Sequence, residues 1–162
     1  MKNVVDHILE DWSKEMPDET TPAKGVIISL IHCYATVYSS LELLLKPLDI
    51  TPTIFSALVA IRRSGPDAEI PVKNIMEQAL VTSGAASNLI NQLIKLDLIT
   101  KRKANTKEDA RSVFVKLTPH GLAFINKLIP IITAWENKIT RSLSKPEKSK
   151  LTLLLKKIIS DY

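Results

Sequence analysis

Between residues 98 and 121 the sequence reads LITKRKANTKEDARSVFVKLTPHG, and this stretch limits the possible fold more than any other. Two runs of β-type alternation, 98–103 and 111–117, flank a charged polar tip. In the second run Val113, Val115 and Leu117 alternate with Phe114 and Lys116. Thr118-Pro119 then supplies a capping residue followed by proline at the first helical position, which is a helix start. Lys101, Arg102, Lys103, Lys107, Arg111 and Lys116 stand against Glu108 and Asp109, a net +4 beside +5 for the whole chain. A hairpin that gathers positive charge beside a helical pair suits a phosphate backbone. The expected unit is a winged helix–turn–helix, and the expected partner is double-stranded DNA.

Helical spacing accounts for most of the remaining sequence. Val4, Ile8 and Trp12 mark a short amphipathic helix over 3–15, followed by a proline-bounded linker at 16–22. A long helix over 23–46 carries apolar residues from Ile27 to Leu45 at three- and four-residue spacing, and Lys46-Pro47 ends it. Thr51-Pro52 opens a helix that runs to Arg63 and stops at Ser64-Gly65-Pro66. Helices over about 72–79 and from Thr82 or Ser83 to Leu96 form the helix–turn–helix pair. In the second of these, Ala86, Leu89, Ile90, Leu93 and Leu96 make an apolar stripe. Ser87, Asn88, Asn91, Gln92 and Lys95 make a polar one. After the hairpin, Leu122, Ile125, Ile129, Ile132, Trp135 and Ile139 give the next helix an apolar face, interrupted at Pro130. Ser144-Lys145-Pro146-Glu147 starts the last helix, with Leu151, Leu154, Leu155, Ile158 and Ile159 expected as its buried side.

The fold class that follows is mainly α with a small β-hairpin wing. Residues 51–118 are expected to form the DNA-binding lobe. Residues 1–50 and 119–162 are expected to form a helical dimerisation lobe built from both termini. Its apolar faces exceed what one small lobe can cover, so a two-fold homodimer is expected.

Charge is segregated along the chain. Residues 1–50 hold four lysines and eight acids, whereas 119–162 hold eight lysines or arginines and three acids. No run reaches the about 18 uninterrupted apolar residues of a spanning helix, so no membrane partner is expected. The acidic start MKNVVDHILEDW is unlike a secretory signal, and the single Cys33 allows no intramolecular disulfide. These features point to the cytoplasm. No P-loop, dinucleotide motif or Ser/His/Asp arrangement is present, so neither catalysis nor a cofactor is expected. His7, His32, Cys33 and His120 lack ligand spacing apart from the adjacent His32-Cys33, which point apart on a helix; no metal is expected. Cys33 has no basic neighbour in sequence and no resolving cysteine, and reads as a buried inert thiol rather than an oxidant sensor.

The stretch 82–121 resembles the recognition helix and wing of the multiple-antibiotic-resistance regulator (MarR) family. The motifs that carry the likeness are Thr82-Ser83-Gly84-Ala85, Asp109-x-Arg111-Ser112 and Leu117-Thr118-Pro119-x-Gly121. The resemblance extends over nearly the whole chain. It implies a homodimeric repressor or activator, often released from DNA by a small molecule. It also implies that Arg111 enters a minor groove with Asp109 as its brace. A guanidinium suits that narrow, negative groove because it sheds water readily.

Base reading is expected from Ser83, Ser87, Asn88, Asn91 and Gln92, and Thr82, Lys101, Arg102, Lys103 and Lys107 complete the expected DNA-binding set. Asn and Gln pair bidentately with adenine, which favours an A·T-rich, pseudo-palindromic operator. Many relatives carry arginine where Leu89 and Gln92 sit, and a second wing arginine is common where Ala110 sits. These departures favour, as the alternative, a winged-helix protein-interaction module with weakened DNA affinity. The acidic N-terminal helix with Trp12 resembles the urate-responsive branch. The acid and arginine expected there are replaced by Ser56 and Leu89, so the layout carries over and the urate does not. Trp12, His32, Tyr34, Tyr38 and Ser56 are the candidate lining of a pocket for a small aromatic effector.

Overall fold

The computed structural model describes residues 2–79, 81–104 and 112–160. The chain divides into two compact units, Met1–Pro52 and Thr53–Tyr162.

In the first unit, α1 (Val4–Glu15) begins with a reciprocal cap. The Asn3 side chain accepts from the Val5 and Asp6 N–H groups, and the Asp6 carboxylate accepts from the Asn3 N–H. A 3-10 turn, Pro17–Glu19, falls in the expected linker. Thr21 caps α2 (Pro22–Leu45), with Pro22 at its first position. A second 3-10 turn, Lys46–Leu48, ends at Asp49 in the left-handed region. The Lys24 ammonium lies 3.3 Å from the centre of the Trp12 ring, which fixes α1 against α2 by a cation–π contact.

The apolar side of α2 is not an interior within one chain. Leu45 is its one buried residue, and Tyr34 and Leu43 are 67% and 70% exposed. By length and composition Pro22–Leu48 is apolar enough to cross a bilayer, with a mean hydropathy of 1.4 over its best window. A count of uninterrupted apolar residues misses this because Ser29, His32, Thr36, Ser39 and Ser40 break the runs. Cys33, expected to be buried, is exposed.

The second unit holds α3 (Pro52–Arg63), β1 (Ile70–Pro71), α4 (Val72–Ala79), α5 (Ser83–Lys95), β2 (Ile99–Lys103), β3 (Val113–Leu117), α6 (Pro119–Ile139) and α7 (Lys145–Ser160). Its core contains Ile54, Leu58, Ile61, Ile75, Leu93, Ile99, Val115 and Ile125, all essentially inaccessible. Each such side chain contributes about 1.5–3 kcal/mol by leaving water. The sheet has three antiparallel strands in the order β1-β3-β2, not the two of a simple hairpin. β1 is only two residues long and ends in proline at a sheet edge, where a missing N–H is tolerated. Two residues are too few for the alternation that identifies a strand in sequence.

The joint between α5, β2 and α6 is densely bonded. Asp97 stands in the left-handed region (φ 54°) just after α5. The Asp97 N–H donates to the Ile94 carbonyl and the Leu98 N–H to the Leu93 carbonyl, which is the Schellman pattern. The Thr118 hydroxyl donates to the Asp97 carbonyl (2.7 Å) and accepts from the Gly121 N–H (2.8 Å). Thr118 thus caps α6 and ties its start to the end of α5. Thr118→Ala is expected to cost about 1–2 kcal/mol, because one capping bond is lost and one carbonyl is left unpaired. A lower urea midpoint at unchanged slope would register that cost.

The helix α6 continues through Pro130 and buries Gly121, Ile125, Leu128 and Ile132. Arg62 Nε donates to Asn126 Oδ1 at 2.8 Å, which links α3 to α6. At the start of α7, the Ser144 N–H and hydroxyl both donate to the Glu147 carboxylate, at 2.7 and 2.5 Å. These bonds hold that carboxyl below its ordinary pKa. No residue of α7 is buried, contrary to the expectation for Leu151, Leu154, Leu155, Ile158 and Ile159. Ile129 and Ile139 on α6 are also exposed. The hydrophobic spacing marks these faces correctly as apolar, but a single chain does not cover them.

Candidate nucleic-acid interface

The helix expected to read bases is α5, and its geometry follows from where its apolar residues go. Ala86, Leu89, Ile90 and Leu93 are buried, which turns the opposite side outward. At 100° per residue, Gly84, Asn88, Asn91 and Lys95 stand farthest from that core. Ser87 and Gln92 flank them, Ser83 sits at the helix start on the side of Ile90, and all seven are exposed. Thr82 is the N-cap: its hydroxyl accepts from the Ala85 N–H at 3.4 Å, a long bond that leaves the oxygen open to a second partner. Leu89, aligned with a family arginine, is 5% exposed and belongs to the core. Its departure from the family pattern therefore removes no outward-facing charge from this helix.

Strand parity sorts the cationic residues of the wing. β2 pairs with β3 in the register Ile99↔Leu117, Lys101↔Val115 and Lys103↔Val113, with Arg102 opposite Phe114. Successive side chains alternate between the two faces of a sheet. Lys101 and Lys103 therefore share one face, and Arg102 lies on the other. The face of Lys101 is the face of the recognition helix, since Lys101 Nζ lies 3.5 Å from Asn91 Oδ1. Lys107, Asp109 and Arg111, and Ala110 between the last two, lie outside the described residues.

Between α4, α5 and the sheet is an open cleft of about 540 Å³. Ser83, Ser87 and Asn91 line its α5 wall, and Lys101 and Val113 line its sheet wall. Val72, Lys73 and Met76 form the third wall. Lys73 was not among the residues expected to matter. Its signal in the sequence was a lone cation on the first helix of the pair, which composition alone does not distinguish from a solvated charge.

On its other face the sheet carries ion pairs. Arg102 Nε and Nη2 lie 2.7 and 2.6 Å from the same oxygen of Glu69. Lys116 Nζ lies 3.7 Å from Asp67. The Arg102 guanidinium also stacks on Phe114, 4.5 Å from the ring centre.

The residues considered for an effector are only partly gathered. The Tyr34 and Tyr38 rings meet at 5.5 Å between centroids. Trp12 lines a shallow, open surface depression of about 310 Å³ with Ile8, Asp11, Glu15 and Met16, and none of the other four candidates lines it. His32 is half-buried on α2, and Ser56 is half-buried on α3 in the second unit. Among the described residues, no three His, Cys, Asp or Glu side chains come together to hold a metal ion.

No protein-family model matches the chain. Individual relatives do. The HTH-type transcriptional regulator PecS of Dickeya dadantii is 24% identical over 154 residues, spanning 95% of this chain and 92% of PecS. The multiple antibiotic resistance protein MarR of Salmonella typhimurium is 32% identical over 116 residues, spanning 71% of this chain and 77% of MarR. Among solved structures, a cysteine-to-serine mutant of MarR from E. coli, in complex with operator DNA, superposes with a TM-score of 0.70. That match is 26% identical and covers 91% of this chain and 96% of the other. The 32% identity to MarR over more than two thirds of both chains shows the family: the chain belongs to the MarR family of winged helix–turn–helix, DNA-binding transcriptional regulators.

Proposed function

We propose that the protein is a homodimeric repressor acting in the cytoplasm on a pseudo-palindromic operator. Each copy places α5 in a major groove, with the two recognition helices about 34 Å apart. The wings lie in the flanking minor grooves, where Arg111 inserts and Asp109 braces it. The observation that carries this reading is the exposed polar side of α5, with Asn88 and Asn91 outermost, beside Lys101 on the same face of the molecule. Amides at the front of such a helix read adenine edges, so the operator is A·T-rich. The second copy covers the apolar faces of α2 and α7 that one chain leaves exposed. An aromatic effector released into this system is bound by residues of the first unit, with Trp12, His32, Tyr34 and Tyr38 as its candidate contacts.

A mobility-shift titration with the DNA upstream of the protein's own gene tests the reading. The wild type is expected to shift the duplex with an affinity that falls steeply as salt rises. Arg111→Ala is expected to weaken binding about tenfold and to lessen the salt slope by about one phosphate contact. A wild type that shifts no duplex would instead favour a winged-helix module that binds protein.

A further inference from the structure

We infer that Arg102 is a positioning residue for the wing and not a DNA contact; this inference rests on the DNA-binding reading above. With Glu69 and Phe114 it clamps the two outer strands of the sheet across the central one. Three observations agree. The first is parity: Arg102 shares its face with Phe114, whereas Lys101 and Lys103 share theirs with Val115 and Val113, next to the recognition helix.

The second is the state of the guanidinium. Its Nε and Nη2 converge on one Glu69 oxygen, its Nη1 donates to the Lys103 carbonyl at 3.2 Å, and its plane covers the Phe114 ring. To reach a phosphate, Arg102 would have to leave an ion pair, a backbone acceptor and an aromatic face together. Each is modest alone on a part-exposed surface. Combined in one rigid fork, they fix the side chain.

The third is the weakness of the strand being held. β1 contributes only Ile70 and Pro71, and they pair with Val115 and Phe114. Proline gives that short ladder no donor. Glu69 immediately precedes β1, so the Glu69–Arg102 pair joins β1 to β2 over β3. Asp67 and Lys116 make a second, longer link on the same face. The clamp thereby sets the direction of β2, and with it the aim of Lys101 and Lys103.

Glu69 supplies the discriminating test. A carboxylate near a DNA-binding surface repels phosphate, so removing its charge should tighten binding unless the carboxylate is holding something in place. Operator affinity is measured by fluorescence anisotropy across a salt series for the full-length wild type, Glu69→Gln, Arg102→Lys and Lys101→Gln. Glu69→Gln and Arg102→Lys are each expected to bind about fivefold more weakly, with the slope of log affinity against log salt unchanged. Lys101→Gln is expected to lower that slope.

Arg102→Lys keeps the charge and loses the fork and the ring stacking, so it separates positioning from charge. The inference is overturned if Glu69→Gln binds as tightly as wild type or tighter. It is also overturned if Arg102→Lys matches wild type. Amide hydrogen exchange on the free protein gives a second measure. Glu69→Gln should speed exchange at Val115, whose N–H faces β1, and unchanged protection there removes the clamp. If the wild type binds no duplex at all, the DNA reading fails instead, and exchange alone decides the clamp.

Discussion

Gly121→Ala is expected to lower the unfolding temperature of the protein by roughly 6 °C. A β-carbon built at Gly121 would collide with the Leu98 carbonyl oxygen and lie 2.8 Å from the carbonyl carbon. Those are backbone atoms, and the Leu98 carbonyl is already fixed by the Thr118 N–H at 3.1 Å. Neither side can yield by rotating a side chain, so the start of α6 must move away from the end of α5. Overpacking of this kind costs about 1–3 kcal/mol or more. Alanine returns about 1 kcal/mol of helix propensity, less than the clash removes. At about 2–4 °C per kcal/mol for a chain of this size, a net deficit of about 2 kcal/mol gives the stated shift.

Gly84→Ala is the internal comparison. It lies in α5 with nothing within 4 Å of its added carbon, so there the propensity gain should stand alone. Scanning calorimetry of the two variants checks both signs. An unshifted Gly121→Ala would mean that α6 does not press on Leu98 as described.

Much of this joint was legible in the sequence. Thr118-Pro119 announces a helix start because a hydroxyl cap and a fixed φ suit the same place, and the cap forms as expected. Asn3, Thr21 and Thr82 act in the same way at α1, α2 and α5. β1 was not legible: it exists only because β3 offers it a partner distant in sequence. Arg102 shows a subtler limit. Its charge groups it with Lys101 and Lys103, whereas its strand parity separates it from them. That parity was available in the sequence, but the partners Glu69 and Phe114 emerge only once the register is known. Leu89 shows the same in reverse: the family resemblance suggested a lost contact, and helical phase makes it core.

Hydrophobic spacing misleads most about where the terminal helices find their cover, and this sets the second strong expectation. Leu154→Glu with Ile158→Glu should convert the proposed dimer into monomers and weaken operator binding by about 10²–10⁴-fold. These two residues lie one turn apart on α7, 47% and 36% exposed in a single chain. Charging them removes no core contact of the second unit, so circular dichroism and the fold should persist. The stripe they belong to includes Leu151 and the half-buried Leu155, and α2 offers a comparable face through Ile27, Ile31 and Tyr34. Apolar area on this scale is seldom left in water on a monomer. Lipid could cover α2 by its length alone, but α7 carries Lys145, Lys148, Lys150, Lys156 and Lys157 around its apolar stripe, which suits a protein seam with a wet rim. Two carboxylates per copy, placed against their own symmetry mates or against apolar neighbours, would be desolvated without a partner. Once the copies separate, each α5 must find its half-site alone, and the gain from linking two binding events disappears. Light scattering gives the mass and anisotropy gives the affinity. A double variant that remains dimeric and still holds the operator would show that α7 is not the seam, and the search for the covering surface would then move to α2.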